Sequence, residues 1–151
     1  MASDLGKPKL MSDFDEQTVA RLRKAGLRPT RQRRDLARLL FTECREAVTA
    51  EGLHAVALRG GVQVSLATVY GTLHSFCSVG LVRDVSIDSR RYFDNNPDNH
   101  QYFYFEDDRR LVGVTEVETG VKSVPSPPQG QHVSRVDVVV RLRRDEPHRR
   151  D

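Results

Sequence analysis

The most informative side chains of this sequence lie between Val64 and Phe76. Apolar residues recur there every three or four positions, which predicts a helix with one buried face, and Ser65 is a suitable N-cap. The opposite face carries small or hydrogen-bonding side chains and no acidic one: Ala67, Thr68, Gly71 and Thr72, with Tyr70 beside them. Such a face can lie against phosphates without repulsion and meet base edges or thymine methyl groups in a major groove. Ordinary surface packing is the alternative for this helix taken alone.

Positive charge is concentrated ahead of this helix. The net charge of the whole chain is only +3, but residues 20 to 45 hold nine basic residues and two acidic ones. A cluster of this kind indicates a polyanionic partner, and a solvated helix face is the alternative. We therefore expect the arginines at the start of the second helix, Arg31 and Arg33 among them, to face the surface on which the protein docks.

Three more helices and a hairpin are predicted around this stretch. Apolar periodicity, cap residues and glycines predict helices at about 14 to 25, 31 to 41 and 50 to 59. Residues 81 to 87 alternate in polarity and 91 to 93 follow a short polar tip, which predicts a two-stranded hairpin. Two helices joined by a tight turn and followed by a hairpin form a winged helix. The hairpin can then touch phosphate or the minor groove through Ser89, Arg90 and Arg91.

The second half of the chain has the pattern of strands. Candidate strands are 101 to 105, 110 to 115 and 136 to 142. The prolines between 123 and 130 predict an extended loop. Three strands bury little core, so we expect the Val-rich third strand to pair with a copy of itself. The consecutive aromatic residues of the first strand indicate burial on both of its faces.

Composition and motifs limit the other possibilities. Cys44 and Cys77 belong to no C-x-x-C pair, which excludes a structural zinc site with four cysteine ligands from one chain. Because the sequence has no signal-peptide pattern and no apolar run long enough for a membrane span, we expect a cytoplasmic protein without a membrane partner. The Gly-rich phosphate loop and the common catalytic motifs are absent, so we do not expect an enzyme.

Several segments together carry a family resemblance. They are A-G-L-R-P-T-R-Q-R at 25 to 33, T-A-E at 49 to 51, V-S-L-A-T-V-Y at 64 to 70, T-L at 72 to 73, G-L at 80 to 81, Y-F-D at 92 to 94 and R-V-D-V-V-V-R-L-R at 135 to 143. Over roughly residues 18 to 143 the chain resembles the ferric uptake regulator (Fur) family, most closely its iron response regulator (Irr) branch in alpha-proteobacteria. The resemblance implies a homodimeric winged-helix transcriptional regulator whose second lobe dimerises and binds metal or, in the Irr branch, sometimes haem.

The resemblance also assigns roles to DNA-facing positions. Arg28 stands where a basic residue of the family reaches the minor groove, and Tyr70 stands where a tyrosine contacts a thymine. The start of the recognition helix meets the major groove and nearby phosphates through Ser65, Ala67 and Thr68. The implied partner is double-stranded DNA with an A/T-rich palindromic operator, read by two copies of the chain. Gly71 departs from the family, since many relatives have arginine there, and this should weaken a phosphate or guanine contact.

The metal-binding positions of the family match this chain poorly. A histidine-rich run of the relatives is reduced to His100, and three other ligand positions hold Ala47, Gly113 and Val136. Asp94 and His100 remain, fewer than the three protein ligands that a zinc or iron site usually needs. With a water they could hold a labile divalent metal, namely zinc, iron or manganese, or His100 could be one axial ligand of haem. The alternative is that His100 is an ordinary linker residue.

The sequence therefore predicts an α+β protein with an N-terminal winged-helix DNA-binding lobe followed by a small α/β dimerisation lobe. The expected divisions are a flexible tail at 1 to 12, the winged helix at 13 to 94, a hinge at 95 to 100, a dimerisation and degenerate sensor domain at 101 to 142, and a charged tail at 143 to 151. The predicted function is a dimeric, sequence-specific transcriptional regulator of iron or metal homeostasis, mainly a repressor, with a depleted metal site. A fully metal- or haem-responsive sensor of the same family and an RNA-associated basic module are the alternatives.

Overall fold

The computed structural model of the protein describes residues 9 to 115 and 123 to 147, with side chains from residue 13 onward. Its helices are α1 (Lys9–Lys24), α2 (Arg31–Thr42), α3 (Ala50–Arg59) and α4 (Leu66–Ser78). Its strands are β1 (Arg83–Ile87), β2 (Arg90–Asp94), β3 (Gln101–Phe105), β4 (Arg110–Gly113) and β5 (Val138–Leu142). The predicted α+β class is confirmed. The chain divides into two compact units, an N-terminal unit (Met1–Pro97) and a C-terminal unit (Asp98–Asp151).

The first helix is longer than the sequence suggested. It begins at Lys9, inside the segment expected to be a flexible tail, whose residues 1 to 8 lie outside the described residues. Residues 9 to 12 contain no glycine or proline, so nothing in them interrupts a helix, and Pro8 is tolerated just ahead of one. The helix ends at Lys24, and the predicted terminator Gly26 follows in the turn with a φ of +84°.

A continuous apolar core holds the N-terminal unit together. α4 contributes Val69, Leu73 and Phe76, and none of these side chains is exposed. The other helices and the hairpin supply the remaining buried residues: Leu22, Leu36, Ala37, Leu39, Leu40, Cys44, Ala50, Leu53, Ala57, Val82 and Phe93. Since all four helices and β2 add to this one cluster, the helices are fixed relative to one another.

Side-chain caps set the start of three helices. Thr30, Thr49 and Ser65 accept hydrogen bonds from the backbone N–H three residues ahead, at 3.3, 3.1 and 3.1 Å. Each cap satisfies a backbone donor that a helix otherwise leaves unpaired. α3 has the predicted bounds, and α4 runs from Leu66 to Ser78, just ahead of Gly80, the residue predicted to terminate it.

The predicted hairpin is present as β1 and β2, which pair in antiparallel register from Arg83 opposite Asp94 to Ile87 opposite Arg90. Its turn is two residues long, because Arg90 belongs to β2 rather than to the tip. Asp88 and Ser89 have φ values of +50° and +64°, the conformation of the tight turns that match strand twist. Val48 and Phe93 exchange backbone hydrogen bonds of 2.9 and 2.7 Å. These bonds attach the hairpin to the segment between α2 and α3.

The C-terminal unit contains a three-stranded sheet in the order β4-β3-β5, with β3 antiparallel to β4 and parallel to β5. β4 ends at Gly113 and β5 begins at Val138, so both strands are two residues shorter than predicted. In the single chain only one face of β3 is fully buried, and burial of both faces, which was expected at the dimer interface, stays a prediction. Tyr102 and Tyr104 are buried while the alternate aromatic residues are half-buried, because successive side chains of a strand point to opposite faces. No helix within the described residues has the length and hydropathy of a membrane span.

Candidate nucleic-acid interface

α4 presents a polar surface because its apolar residues occupy one side of the helix. Ala67, Tyr70, Gly71 and His74 are exposed, and Ser65 is exposed at the cap. The Ser65 hydroxyl both accepts from the Thr68 N–H and donates to the Thr68 hydroxyl at 2.9 Å, which fixes the first turn of the helix. His54 of α3 holds the segment that leads into α4, since its Nε2 lies 2.9 Å from the Val64 carbonyl oxygen. The start of the helix is therefore rigid and open to a partner.

Thr72 does not belong to this exposed surface. It was predicted to lie on the polar face, but it is buried. The physical reason is its position three residues after Val69 and four before Phe76, which places it in the buried stripe of the helix.

Tyr70 extends from α4 and forms a hydrogen bond with a different helix. Its side chain is 42% exposed, and its hydroxyl donates to Oε1 of Glu51, on α3, over 2.5 Å. This distance is typical of a hydroxyl bonded to a charged carboxylate. The bond lowers the pKa of Glu51, with a backbone hydrogen bond and the nearby Arg90 acting in the same direction. It raises the pKa of the Tyr70 phenol, because it stabilises the protonated hydroxyl.

The hairpin tip completes a pocket around this pair. The pocket has a volume of about 390 Å³ and is lined by Thr49, Glu51, Tyr70, Ser89, Arg90 and Arg91. Arg91 is held in place, since its Nε lies 2.8 Å from Oδ2 of Asp84 and its guanidinium stacks over the Phe93 ring. The pocket thus places two guanidinium groups, two hydroxyl groups and the Glu51 carboxylate beside the exposed ring of Tyr70.

A second groove lies between the start of α2 and α4. It measures about 380 Å³ and is lined by Thr30, Gln32, Arg33, Thr68, Gly71, Thr72 and Ser75, with no acidic side chain among them. Arg33 donates from Nη1 to the Arg28 carbonyl oxygen at 3.1 Å, which ties the loop before α2 to this groove. A Cβ built on Gly71 meets nothing within 4 Å, so the floor of the groove has room for a larger side chain.

The structure brings most of the predicted DNA-facing residues to one surface of the N-terminal unit. Arg33 and Thr68 line the second groove, and Tyr70 and Arg90 line the pocket. Ser65 and Ala67 are exposed at the cap and in the first turn of α4. Arg28 is exposed beside Arg33. Arg31 points into solvent, with its guanidinium 4.0 Å from the Asp35 carboxylate.

Sequence reasoning did not identify Glu51 as part of this surface. The residue was recognised only as part of the T-A-E segment, and it is 19 positions away from Tyr70 in the chain. No local spacing connects residues so far apart, and an acidic residue contradicts the expectation for a surface that meets phosphates. Gln32 was missed because it lies between arginines that carry the stronger charge signal.

The two predicted metal ligands, Asp94 and His100, belong to different units, and no contact among the described residues of either unit brings them together. Asp94 is buried at the end of β2 in the N-terminal unit, where its Oδ1 accepts from the Asn96 N–H at 3.0 Å. His100 is exposed and belongs to the C-terminal unit. Among the described side chains, no three His, Cys, Asp or Glu residues are grouped so that they could hold a metal ion.

Three acidic residues form a turn between β3 and β4, here called the acidic turn: Glu106, Asp107 and Asp108. Arginines of β5 and of the segment after it bond to these carboxylates. Arg143 donates to the Glu106 carboxylate, which Arg141 also approaches at 3.4 Å. Arg144 lies 2.8 Å from Asp108 and donates its backbone N–H to Asp107. Arginine lowers the pKa of Glu106, first through the hydrogen bond from Arg143. These carboxylates are already paired with cations and do not fit the role of free metal ligands.

Comparisons with known sequences agree on one family. The sequence model described as the Ferric uptake regulator family matches residues 24–118. The peroxide-responsive repressor PerR of Staphylococcus epidermidis is 33% identical over 98 residues, which cover 64% of this chain and 65% of that protein. PerR of Staphylococcus aureus strain Mu50 is 32% identical over 98 residues, covering 64% and 66%. The chain thus spans just under two thirds of the length of these curated relatives.

Comparisons with solved structures agree on the fold. The ferric uptake regulator of Pseudomonas aeruginosa, solved with manganese, superposes with a TM-score of 0.64 at 22% identity, covering 85% of this chain and 98% of that one. The ferric uptake regulator of Vibrio cholerae gives a TM-score of 0.58 at 25% identity, covering 65% of this chain and 76% of that one.

Proposed function

Because the chain belongs to the ferric uptake regulator family, we propose that it is a homodimeric, sequence-specific DNA-binding regulator of iron or metal homeostasis genes, acting mainly as a repressor. The family is one of regulators rather than enzymes. The observation that carries the proposal is the exposed polar face of α4, which lies between an arginine-lined groove and the arginines of the hairpin. The names of the PerR relatives support the repressor role.

In the proposed complex, α4 enters the major groove. Its first turn meets base edges and phosphates, and the Tyr70 ring packs on a thymine methyl group. Arg28 reaches the minor groove, where an arginine is favoured by the concentrated negative potential of A/T-rich DNA. Arg33 and Arg90 neutralise phosphates on either side of the helix. In the homodimer, each copy of the chain would use this surface to read one half of a palindromic operator.

The C-terminal unit is proposed to bind a second copy of the chain. Within the described residues, β5 is an edge strand with no partner beyond it. Phe103 and Val140 are paired in register and share a sheet face that is only partly covered. An open edge and a partly exposed apolar face both favour association with an identical chain.

The metal site is proposed to be depleted, so that the protein binds DNA without a bound metal. The support is the ligand set: Asp94 and His100 are too few, and the acidic turn is paired with arginines. Elemental analysis of protein purified without added metal tests this view. We expect less than stoichiometric zinc, iron and manganese, and no Soret band after addition of haem. One metal ion or one haem per chain would instead establish a responsive sensor.

The DNA-binding function is tested by titrating the protein with an A/T-rich palindromic duplex, a random duplex and a single-stranded RNA. We expect the palindromic duplex to bind most tightly, whereas preference for the RNA would identify an RNA-associated module. Tyr70→Ala should reduce the discrimination between the two duplexes by about 1 to 3 kcal/mol, because it removes a base contact. Val79→Ala, at the far end of α4, is the matched control and should leave the discrimination unchanged.

A further inference from the structure

The role proposed for the Tyr70 ring, contact with a thymine methyl group, does not explain why the Tyr70 hydroxyl is bonded to Glu51. We propose that Glu51 is a positioning residue for DNA recognition, whose carboxylate holds the Tyr70 hydroxyl and thereby fixes the direction in which the ring meets a base. This inference rests on the proposed function of α4 as the recognition helix.

Glu51 is well placed to act as a fixed support. It lies in the first turn of α3, whose Ala50, Leu53 and Ala57 are buried in the core, so its backbone cannot move independently. A carboxylate near a helix N-terminus is also stabilised by the helix dipole. Tyr70, in contrast, lies at the surface, and its side chain is 42% exposed. The 2.5 Å hydrogen bond joins this exposed side chain to the helix that the core holds.

The negative charge of Glu51 also requires an explanation. A carboxylate on a surface that approaches phosphates opposes binding, and its repulsion grows at low salt. A neutral glutamine could accept the same hydrogen bond, but a bond to a charged acceptor is stronger. Arg90 lines the same pocket and offsets part of the charge. The arrangement therefore loses some general affinity for DNA and gains a more restricted Tyr70 ring, which favours base discrimination over affinity.

The test compares Glu51→Ala, Glu51→Gln, Tyr70→Phe and the double variant Tyr70→Phe with Glu51→Ala. The probes are the duplex that the wild-type protein enriches from a pool with a randomised core, and a random duplex of equal length. Glu43→Ala is the matched control, since it removes an exposed negative charge of the same unit away from Tyr70. Circular dichroism melting curves confirm that each variant is folded.

We expect Glu51→Ala and Tyr70→Phe each to lower the ratio of the two affinities by about three- to tenfold, because each removes the same hydrogen bond. The double variant should then be no worse than either single one, and Glu51→Gln should keep most of the ratio. Binding to the random duplex should tighten slightly in Glu51→Ala. An unchanged ratio in Glu51→Ala, or losses that add in the double variant, would overturn the inference.

An alkaline titration of tyrosine absorbance gives a readout that does not depend on DNA. Tyr70→Phe identifies the contribution of Tyr70, and in Glu51→Ala its pKa should fall towards the ordinary value of a tyrosine. A wild-type protein with no preference for any duplex would overturn the proposed function and this inference with it. A preference that survives Glu51→Ala intact would overturn the inference alone.

Discussion

The two units of the chain are held together by different means. In the N-terminal unit, all four helices and the hairpin meet in one apolar core, with residues such as Leu22, Leu53 and Phe76 completely buried. In the described part of the C-terminal unit, the buried apolar side chains are Tyr102, Tyr104 and Leu111, all on β3 and β4. Ion pairs join the acidic turn between β3 and β4 to the arginines after β5.

This difference indicates how each unit achieves stability. Burial of apolar side chains is the main favourable contribution to folding, so the N-terminal unit has what it needs within one chain. Exposed ion pairs contribute little, and a sheet of three strands with one covered face is marginal. We therefore expect the N-terminal unit to fold on its own core and the C-terminal unit to be stabilised by a second copy.

The largest effect should follow from damage to the N-terminal core. Phe76→Ala should lower the free energy of unfolding by about 3 to 5 kcal/mol, since it removes a fully buried ring and leaves a cavity. Leu58→Ala, at a side chain that is 51% exposed, is the control and should change it by no more than about 0.5 kcal/mol. Urea denaturation followed by circular dichroism gives both values. Equal effects from the two variants would remove the contrast between the units.

A charge on the partly covered sheet should affect self-association. Val140→Asp, at a β5 side chain that is 45% exposed, should weaken the dimer by about tenfold or more, because a buried unpaired carboxylate is unfavourable. Val124→Asp places the same charge on a loop residue that is 47% exposed and should have no effect. Sedimentation equilibrium over a range of protein concentrations measures the association. Identical behaviour of the two variants would contradict a dimer formed through β5.

The units should also differ in their contribution to the salt dependence of DNA binding. Arg28→Ala should make the slope of log K against log salt shallower by about 0.9, the value for one cation fewer to displace counterions from the DNA. Arg144→Ala removes an arginine of the C-terminal unit that is paired with Asp108, and it should leave the slope unchanged. Fluorescence anisotropy at several salt concentrations measures both. If Arg144→Ala had the larger effect, the DNA-binding surface would have to include the C-terminal unit.

The smallest effect should come from the acidic turn. The pKa of Glu106 is lowered in the folded protein, chiefly by Arg143, so the carboxylate stabilises the fold above the ordinary pKa of a glutamate. This stabilisation is lost as the pH falls through the lower, folded-state pKa. Glu106→Gln should therefore reduce the melting temperature slightly at neutral pH and have no effect in acid. A difference from the wild type that persisted in acid would show that packing, rather than charge, is responsible.

Local patterns predicted most of the N-terminal unit. The spacing of Val69, Leu73 and Phe76 indicated the buried side of α4, and the caps Ser65 and Thr49 marked helix starts correctly. The same spacing already contained the information that Thr72 is buried, which the prediction overlooked. In the C-terminal unit β3 has the predicted bounds, whereas β4 and β5 were predicted too long, because strand ends depend on pairing partners rather than on local propensity.

The sequence by itself determined the helices, the hairpin and the basic segment ahead of α4, because these follow from periodicity, caps and charge within a few residues of one another. The tertiary structure alone decided that Tyr70 bonds to Glu51, that arginines after β5 form ion pairs with the acidic turn, and that β5 runs parallel to β3. Each of these contacts joins residues 19 or more positions apart, and such pairs have no shared spacing from which they can be read. The packing of α3 against α4 and the pairing of β3 with β5 bring them within bonding distance.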